Sequence, residues 1–223
     1  MECHSIEKNG NNIYDSQDIV NEFNEFFSTI ATETARNIPD TPVNFEHFLP
    51  RNNNPTMFLK PIKPFEIIDI VNNLDASKSP GYDDIDTHVI KRAIILLIHP
   101  LCNIFNFSIQ KGIFPSAMKI AKVIPIHKKG KKELITNYRP ISVLSIFSKV
   151  FEKLIYNRLM CFLTENNILY SKQFGFRGGY SSYMALLDFT NNIAEAFENK
   201  MFIIGLFLDL SKAFDCVNHQ ILI

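Results

Sequence analysis

A mixed α/β fold, rich in helix, is what these 223 residues predict, and three observations carry that expectation. Apolar residues recur at three- and four-residue spacing over several long stretches, the pattern of amphipathic helices. Two short apolar runs, Lys119–Ile126 and Phe202–Leu208, are bounded by turn or polar residues and suit strands. Composition supplies the core: 46% of residues are apolar and 20 are Phe, too much for a disordered chain, while 8 Gly and 11 Pro without period exclude collagen-like sequence.

The elements follow in order. From Asp15 to about Asn37, Ile19, Phe23, Phe26, Phe27, Ile30 and Thr34 recur at helical spacing; Asp15 or Ser16 can cap the start and Pro39 blocks continuation. Residues 38–60 hold four prolines and the run Asn52–Asn54, which marks a linker. The boundary drawn there gives residues 1–55 as an acidic helical connector, expected to pack loosely on the remainder or extend as an arm, and 56–223 as the main body. Pro64 suits the first position of a helix carrying Ile67, Ile68, Val71 and Leu74. Ser77–Asp84 is turn chemistry throughout. Helical spacing returns from Thr87 to Ile98, is expected to break at Pro100, and continues to Gln110 before Gly112. Lys119–Ile126 reads as an edge strand because it contains Pro125. A polar, lysine-rich turn over 127–138 leads to a helix over 146–164 with Val150, Leu154, Leu159 and Phe162 on one face. A glycine-containing loop spans 166–182, a helix spans 182–197, and Phe202–Leu208 is expected as a buried strand ending in Asp209.

Net charge is zero, but its distribution is uneven. Residues 1–118 carry 9 basic against 15 acidic side chains, and residues 119–223 carry 14 against 8. Seven of the basic residues lie between Lys119 and Arg139, with only Glu133 opposing them. Such a run is either a solvated loop or a local polyanion site. The cysteines, Cys3, Cys102, Cys161 and Cys216, are far apart and match no zinc spacing, so reduced thiols in an intracellular protein are expected. No uninterrupted apolar run approaches the length of a membrane span, and no membrane partner is expected.

An acid leaving an apolar strand, as Asp209 does, is costly to bury without a cation or hydrogen bonds. Asp209 is therefore either a ligand for an oxygen-preferring ion such as Mg²⁺ or the cap of the following helix.

Leu208-Asp209-Leu210-Ser211-Lys212-Ala213-Phe214-Asp215 resembles the first aspartate motif of reverse transcriptases, specifically those of LINE-type (non-LTR) retrotransposons. Further blocks match in order. Ala121–Gly130 leads into Asn137-Tyr138-Arg139-Pro140-Ile141-Ser142-Val143-Leu144, then Lys149–Leu159, and later Gln173-Phe174-Gly175-Phe176-Arg177. Upstream, Lys78-Ser79-Pro80-Gly81-Tyr82-Asp83-Asp84 is similar to an early block of the family, with Asp84 where Gly is common.

The resemblance implies the fingers and the first βα unit of the palm of a right-hand polymerase, incomplete in this chain. It implies RNA-directed DNA polymerase lineage, with an RNA template, a DNA primer and deoxynucleoside triphosphates as partners, and a two-metal Mg²⁺ site. Asp209 would be the catalytic carboxylate bridging both ions, with the Leu210 carbonyl on the nucleotide-side ion. Lys128 and Arg139 would reach the triphosphate, Lys as a point charge and Arg as a planar fork, although Lys129 could exchange with Lys128. Phe214 would exclude a 2′-hydroxyl by bulk, or else be a core aromatic. Gln173, Phe176 and Arg177 would lie along the template, or else form a turn packed on the palm.

No aromatic-x-Asp-Asp pair follows Asp209 within these residues. One bridging carboxylate does not hold two ions in register, so the chain alone is expected to be inactive. Two rivals stand beside the polymerase reading. One is a non-catalytic remnant that binds nucleic acid or protein. The other is a phosphohydrolase using Asp209 and Asp215, for which no further acidic or histidine cluster is present. The sequence does not separate nucleus from cytoplasm.

Overall fold

The structure is a computed structural model that describes residues 4–8, 10–36 and 56–209. The described residues divide into two units, one running up to Arg158 and the other starting at Leu159.

The first unit opens with a small antiparallel hairpin, β1 (Ile6–Lys8) and β2 (Asn11–Ile13), in which Ile6 faces Ile13. Its turn passes through Gly10 at φ 81°, a conformation that favours glycine. Helix α1 (Ser16–Arg36) follows, and Asp15 is its cap: the Asp15 carboxylate accepts from the backbone N–H groups of Gln17 and Asp18 at 2.9 and 3.0 Å. Helix α2 (Pro64–Asn72) begins on its proline, and the Glu66 carboxylate accepts from the Lys63 N–H at 2.7 Å.

Helix α3 (Thr87–Lys111) corrects the expected break at Pro100, because it runs through that proline without interruption. Proline cannot donate to the carbonyl four residues back, that of Leu96. Leu96 is 82% exposed and Pro100 is exposed on the same face, so solvent can serve the freed carbonyl. By length and composition α3 could cross a membrane, but its stripe of Ile90, Ile94, Ile98, Leu101 and Phe105 is buried inside the unit.

Strands β3 (Ala121–His127) and β4 (Tyr138–Leu144) pair antiparallel with Ile126 opposite Arg139 and His127 opposite Tyr138. Pro125 and Pro140 face each other. Since Lys128 N–H bonds Asn137 O at 2.8 Å, alternation makes the Pro125–Pro140 pair a non-hydrogen-bonded one, where neither missing N–H is needed. Helix α4 (Ile146–Glu165) then buries Ile146, Val150, Phe151 and Leu154 against α2 and α3. Phe105 stacks on Phe151 with centroids 4.7 Å apart. Leu159, expected on the buried face of α4, is exposed; the stripe instead leaves Leu154 for Arg158.

The turn over Ser77–Asp84 closes directly on the junction between β4 and α4. A Cβ on Gly81 would lie 2.7 Å from the Ser145 nitrogen, so only glycine permits this approach. Tyr82 donates its hydroxyl to Ala117 O at 2.7 Å, and Ser148 donates to Met118 O.

The expected loose arm is corrected for the described part of residues 1–55. Ile6, Ile19 and Phe23 form a second apolar cluster with Tyr138 of β4. Residues 37–55, which carry the proposed linker, lie outside the described residues.

The second unit holds the end of α4, a loop to Ser181 and helix α5 (Ser182–Glu198), capped by Ser181. The expected strand over Phe202–Leu208 is not formed, and those residues are exposed on both sides, Phe202 at 103% and Ile204 at 93%. A strand exists through its ladder partners, and among the described residues both two-stranded sheets pair only with themselves. The fold is thus mixed helix and strand, with no βα unit around Asp209 among the described residues.

Candidate nucleotide and nucleic-acid interface

The β3–β4 loop is built from the inside outward. Its carbonyls are taken up by neighbouring side chains. Asn137 Nδ2 donates to Lys131 O at 2.9 Å, Tyr138 Oη donates to Lys132 O at 2.8 Å, and His127 Nε2 lies 3.1 Å from Gly130 O. With the backbone so occupied, Lys128, Lys129, Lys131 and Lys132 are all exposed. The result is an ordered cationic loop. Its field is not cancelled locally, since Glu133 is the one acid within it.

Pleating assigns the two faces of the hairpin. Tyr138 and His127 lie on one face, their rings 5.3 Å apart, and that face meets α1. Arg139 and its partner Ile126 lie on the other. This second face borders a cleft of about 360 Å³ lined by Ile124, Ile126 and Ile141 and by Lys78 and Lys149. Arg139 is exposed beside it. Lys128 follows His127 at the loop end of the same ladder. The two residues expected at a triphosphate are therefore neighbours on one hairpin. A larger groove of about 550 Å³ on α3, around Ile104, Phe107 and Ile113, has Lys111 as its one charged side chain.

Gln173, Phe176, Arg177 and Asp209 fall in the second unit. Gln173 caps its own turn, with Nε2 3.3 Å from Gly175 O. Phe176 is 85% exposed at φ 58°, a conformation rare for an aromatic residue. Arg177 places its guanidinium 4.2 Å over the Tyr180 ring and donates to Tyr170 O at 3.2 Å. Asp209 is exposed, not at the end of a buried strand. Leu210 and Phe214 lie outside the described residues. Among the described residues no group of three His, Cys, Asp or Glu side chains could hold a metal ion, so the donors present do not make a two-metal site.

Lys128 and Arg139, expected from the sequence at a triphosphate, lie together on this hairpin, whereas Tyr138, the first residue of β4, was not singled out. Its signal was the aromatic placed between two polar residues at a strand start, which alone does not announce a partner helix.

Fold and loop together define a class: a helix-rich α/β protein that presents an ordered cationic hairpin to solvent. Comparison with known proteins supplies the family. Residues 126–223 match the family described as reverse transcriptase (RNA-dependent DNA polymerase). The chain is 40% identical over 166 residues to a probable RNA-directed DNA polymerase from transposon BS of Drosophila melanogaster, covering 74% of this chain and 18% of that protein. It is 37% identical over 155 residues to the RNA-directed DNA polymerase from mobile element jockey of the same fly, covering 69% and 17%. A probable RNA-directed DNA polymerase from its transposon X-element is 34% identical over 164 residues, covering 73% and 18%. The chain belongs to the reverse transcriptases of non-LTR retrotransposons, and it spans under a fifth of the length of these curated relatives.

Proposed function

We propose that this chain is the fingers side, with the start of the palm, of an RNA-directed DNA polymerase that copies an RNA template from a DNA primer with deoxynucleoside triphosphates. The observation that carries the reading is the β3–β4 hairpin. It joins Lys128, as a compact charge, and Arg139, as a planar fork, beside a cleft with an apolar floor. Triphosphate oxygens suit the two cations, and a base suits an apolar floor. Gln173, Phe176 and Arg177 are assigned to the template strand, where an exposed aromatic can stack on a base and Arg can meet phosphate. Phe214 is assigned to sugar selection.

Asp209 is assigned as the carboxylate ligand of the magnesium ions, with the Leu210 carbonyl. Those ions would hold the attacking and leaving oxygens in line. The donors described do not complete such a site, so no catalytic step is derived from them. Localisation is proposed as intracellular.

The experiment is primer extension on an RNA template with Mg²⁺, beside a salt titration of RNA binding. The 223-residue chain is expected not to extend the primer and to bind RNA with a steep salt dependence, each neutralised phosphate adding roughly 0.7 to the log–log slope. Charge reversal at Lys128 and Arg139 weakens that binding without unfolding the protein, because both side chains are solvated. Extension that Asp209→Ala abolishes would overturn the expected inactivity. RNA binding indifferent to salt would remove the hairpin assignment and leave the non-catalytic remnant as the better description.

A further inference from the structure

The cationic loop does not stand alone. Its far side is held by the N-terminal β1–β2 hairpin and by α1. Glu7 N–H donates to Glu133 O at 2.7 Å, which ties β1 to the loop backbone. One residue before Arg139, the Tyr138 ring sits edge-on to Phe23 of α1 with centroids 5.0 Å apart. Ile6 and Ile19 close the cluster, and Ile135 of the loop packs on it. All four principal members, Ile6, Ile19, Phe23 and Tyr138, are buried. The clamp is itself pinned, because the Lys8 ammonium pairs with Glu22 and, at 3.5 Å, with Glu25 on α1.

We propose that the β1–β2 hairpin and α1 are a clamp that holds the Lys128–Lys132 loop in its polyanion-binding form, with Phe23 and Tyr138 as the positioning residues. The inference rests on the reading that this loop binds nucleic acid. The argument is one of pre-organisation. A loop with four like charges repels itself, and ordering it at the moment of binding costs affinity. Here the order is supplied beforehand. Tyr138 is the hinge of the arrangement: its ring is fixed by α1, its hydroxyl holds Lys132 O, and its backbone places Arg139 on the opposite face. On α1, Glu22 and Glu25 are engaged by Lys8 of the hairpin.

The test uses the whole chain and a labelled single-stranded RNA oligonucleotide, with binding measured well below the unfolding midpoint. Phe23→Ala is expected to weaken binding about tenfold and to flatten the salt slope, because fewer lysines reach phosphate together. Phe23→Leu refills most of the space and restores most of the affinity. Tyr138→Phe keeps the ring, loses the bond to Lys132 O, and costs about threefold. Amide exchange at Lys128 and Asn137 rises in Phe23→Ala. A purely structural role would lower the unfolding midpoint while leaving affinity and slope unchanged, and that result overturns the clamp. Charge reversal at Lys128 and Arg139 is the parallel arm. If it abolishes binding while Phe23→Ala does not, the clamp fails and the binding site stands. If charge reversal has no effect, the binding reading fails and the clamp loses its function with it.

Discussion

Arg158 engages all three of its guanidinium nitrogens within the protein. Nε donates to Lys60 O at 2.8 Å, Nη1 to Leu154 O at 3.1 Å, and Nη2 to Pro61 O at 3.1 Å and the Glu66 carboxylate at 3.0 Å. The segment entering α2 is thereby bound to α4, and Glu66 serves twice, as helix cap and as ion-pair partner. A side chain only 11% exposed leaves little room for water to replace these bonds. Arg158→Ala is expected to lower stability by about 2–4 kcal/mol, since several acceptors lose a charged donor together. Arg158→Lys recovers part of that, because an ammonium lacks the planar fork that meets two carbonyls and a carboxylate at once. Urea unfolding followed by circular dichroism measures both, and two variants as stable as the parent would show that the network contributes nothing. Gly81 makes a different point at this scale. A turn that sequence alone marks by its Pro-Gly is, in three dimensions, a backbone-to-backbone contact with Ser145, and neither partner announces the other.

Among the elements, those that carry their own boundary signals were legible. Asp15 caps α1, Pro64 opens α2 and Gly112 ends α3, and each was readable from local chemistry. The β1–β2 hairpin was missed although Asn9-Gly10 between Ile6 and Ile13 is a turn signal, because three-residue strands give too short an alternation to stand out. At Pro100 the local rule was overridden by packing. Ile94 and Ile98 before the proline and Leu101 and Phe105 after it lie on one buried stripe, so breaking the helix would uncover one half of it. The proline is thus tolerated rather than required. Pro100→Ala is expected to raise stability by about 1–3 kcal/mol, the restored hydrogen bond and helix propensity exceeding the entropy that proline removes from the unfolded chain. Thermal and urea unfolding check it; a destabilised variant would mean that Pro100 itself shapes the core.

Over the whole molecule, what the sequence disclosed of the site follows the range of the contacts involved. The closeness of Lys128 and Arg139 was readable because both sit on one local hairpin. The clamp was not, since Phe23 and Tyr138 meet only through the fold. The strand before Asp209 was expected from its apolar run alone, and a run does not supply ladder partners. The same distinction predicts how stability is distributed. In the first unit α2, α3 and α4 enclose a contiguous core around Phe105, Phe151 and Leu154. In the second, α5 buries only Ala196, and its neighbours over 201–208 are exposed. A 17-residue helix without an enclosed apolar face is held mainly by its cap, by the Lys172–Asp188 pair and by the Phe189–Phe207 contact at 5.5 Å. Amide protection in α5 is therefore expected to be at least about tenfold lower than at Val150 and Leu154 of α4, because local opening there exposes little that was buried. Native-state hydrogen exchange resolved by residue measures this. If the α5 amides exchange as slowly as those two, α5 has a partner surface in solution and the division into a firm and a loose unit is wrong.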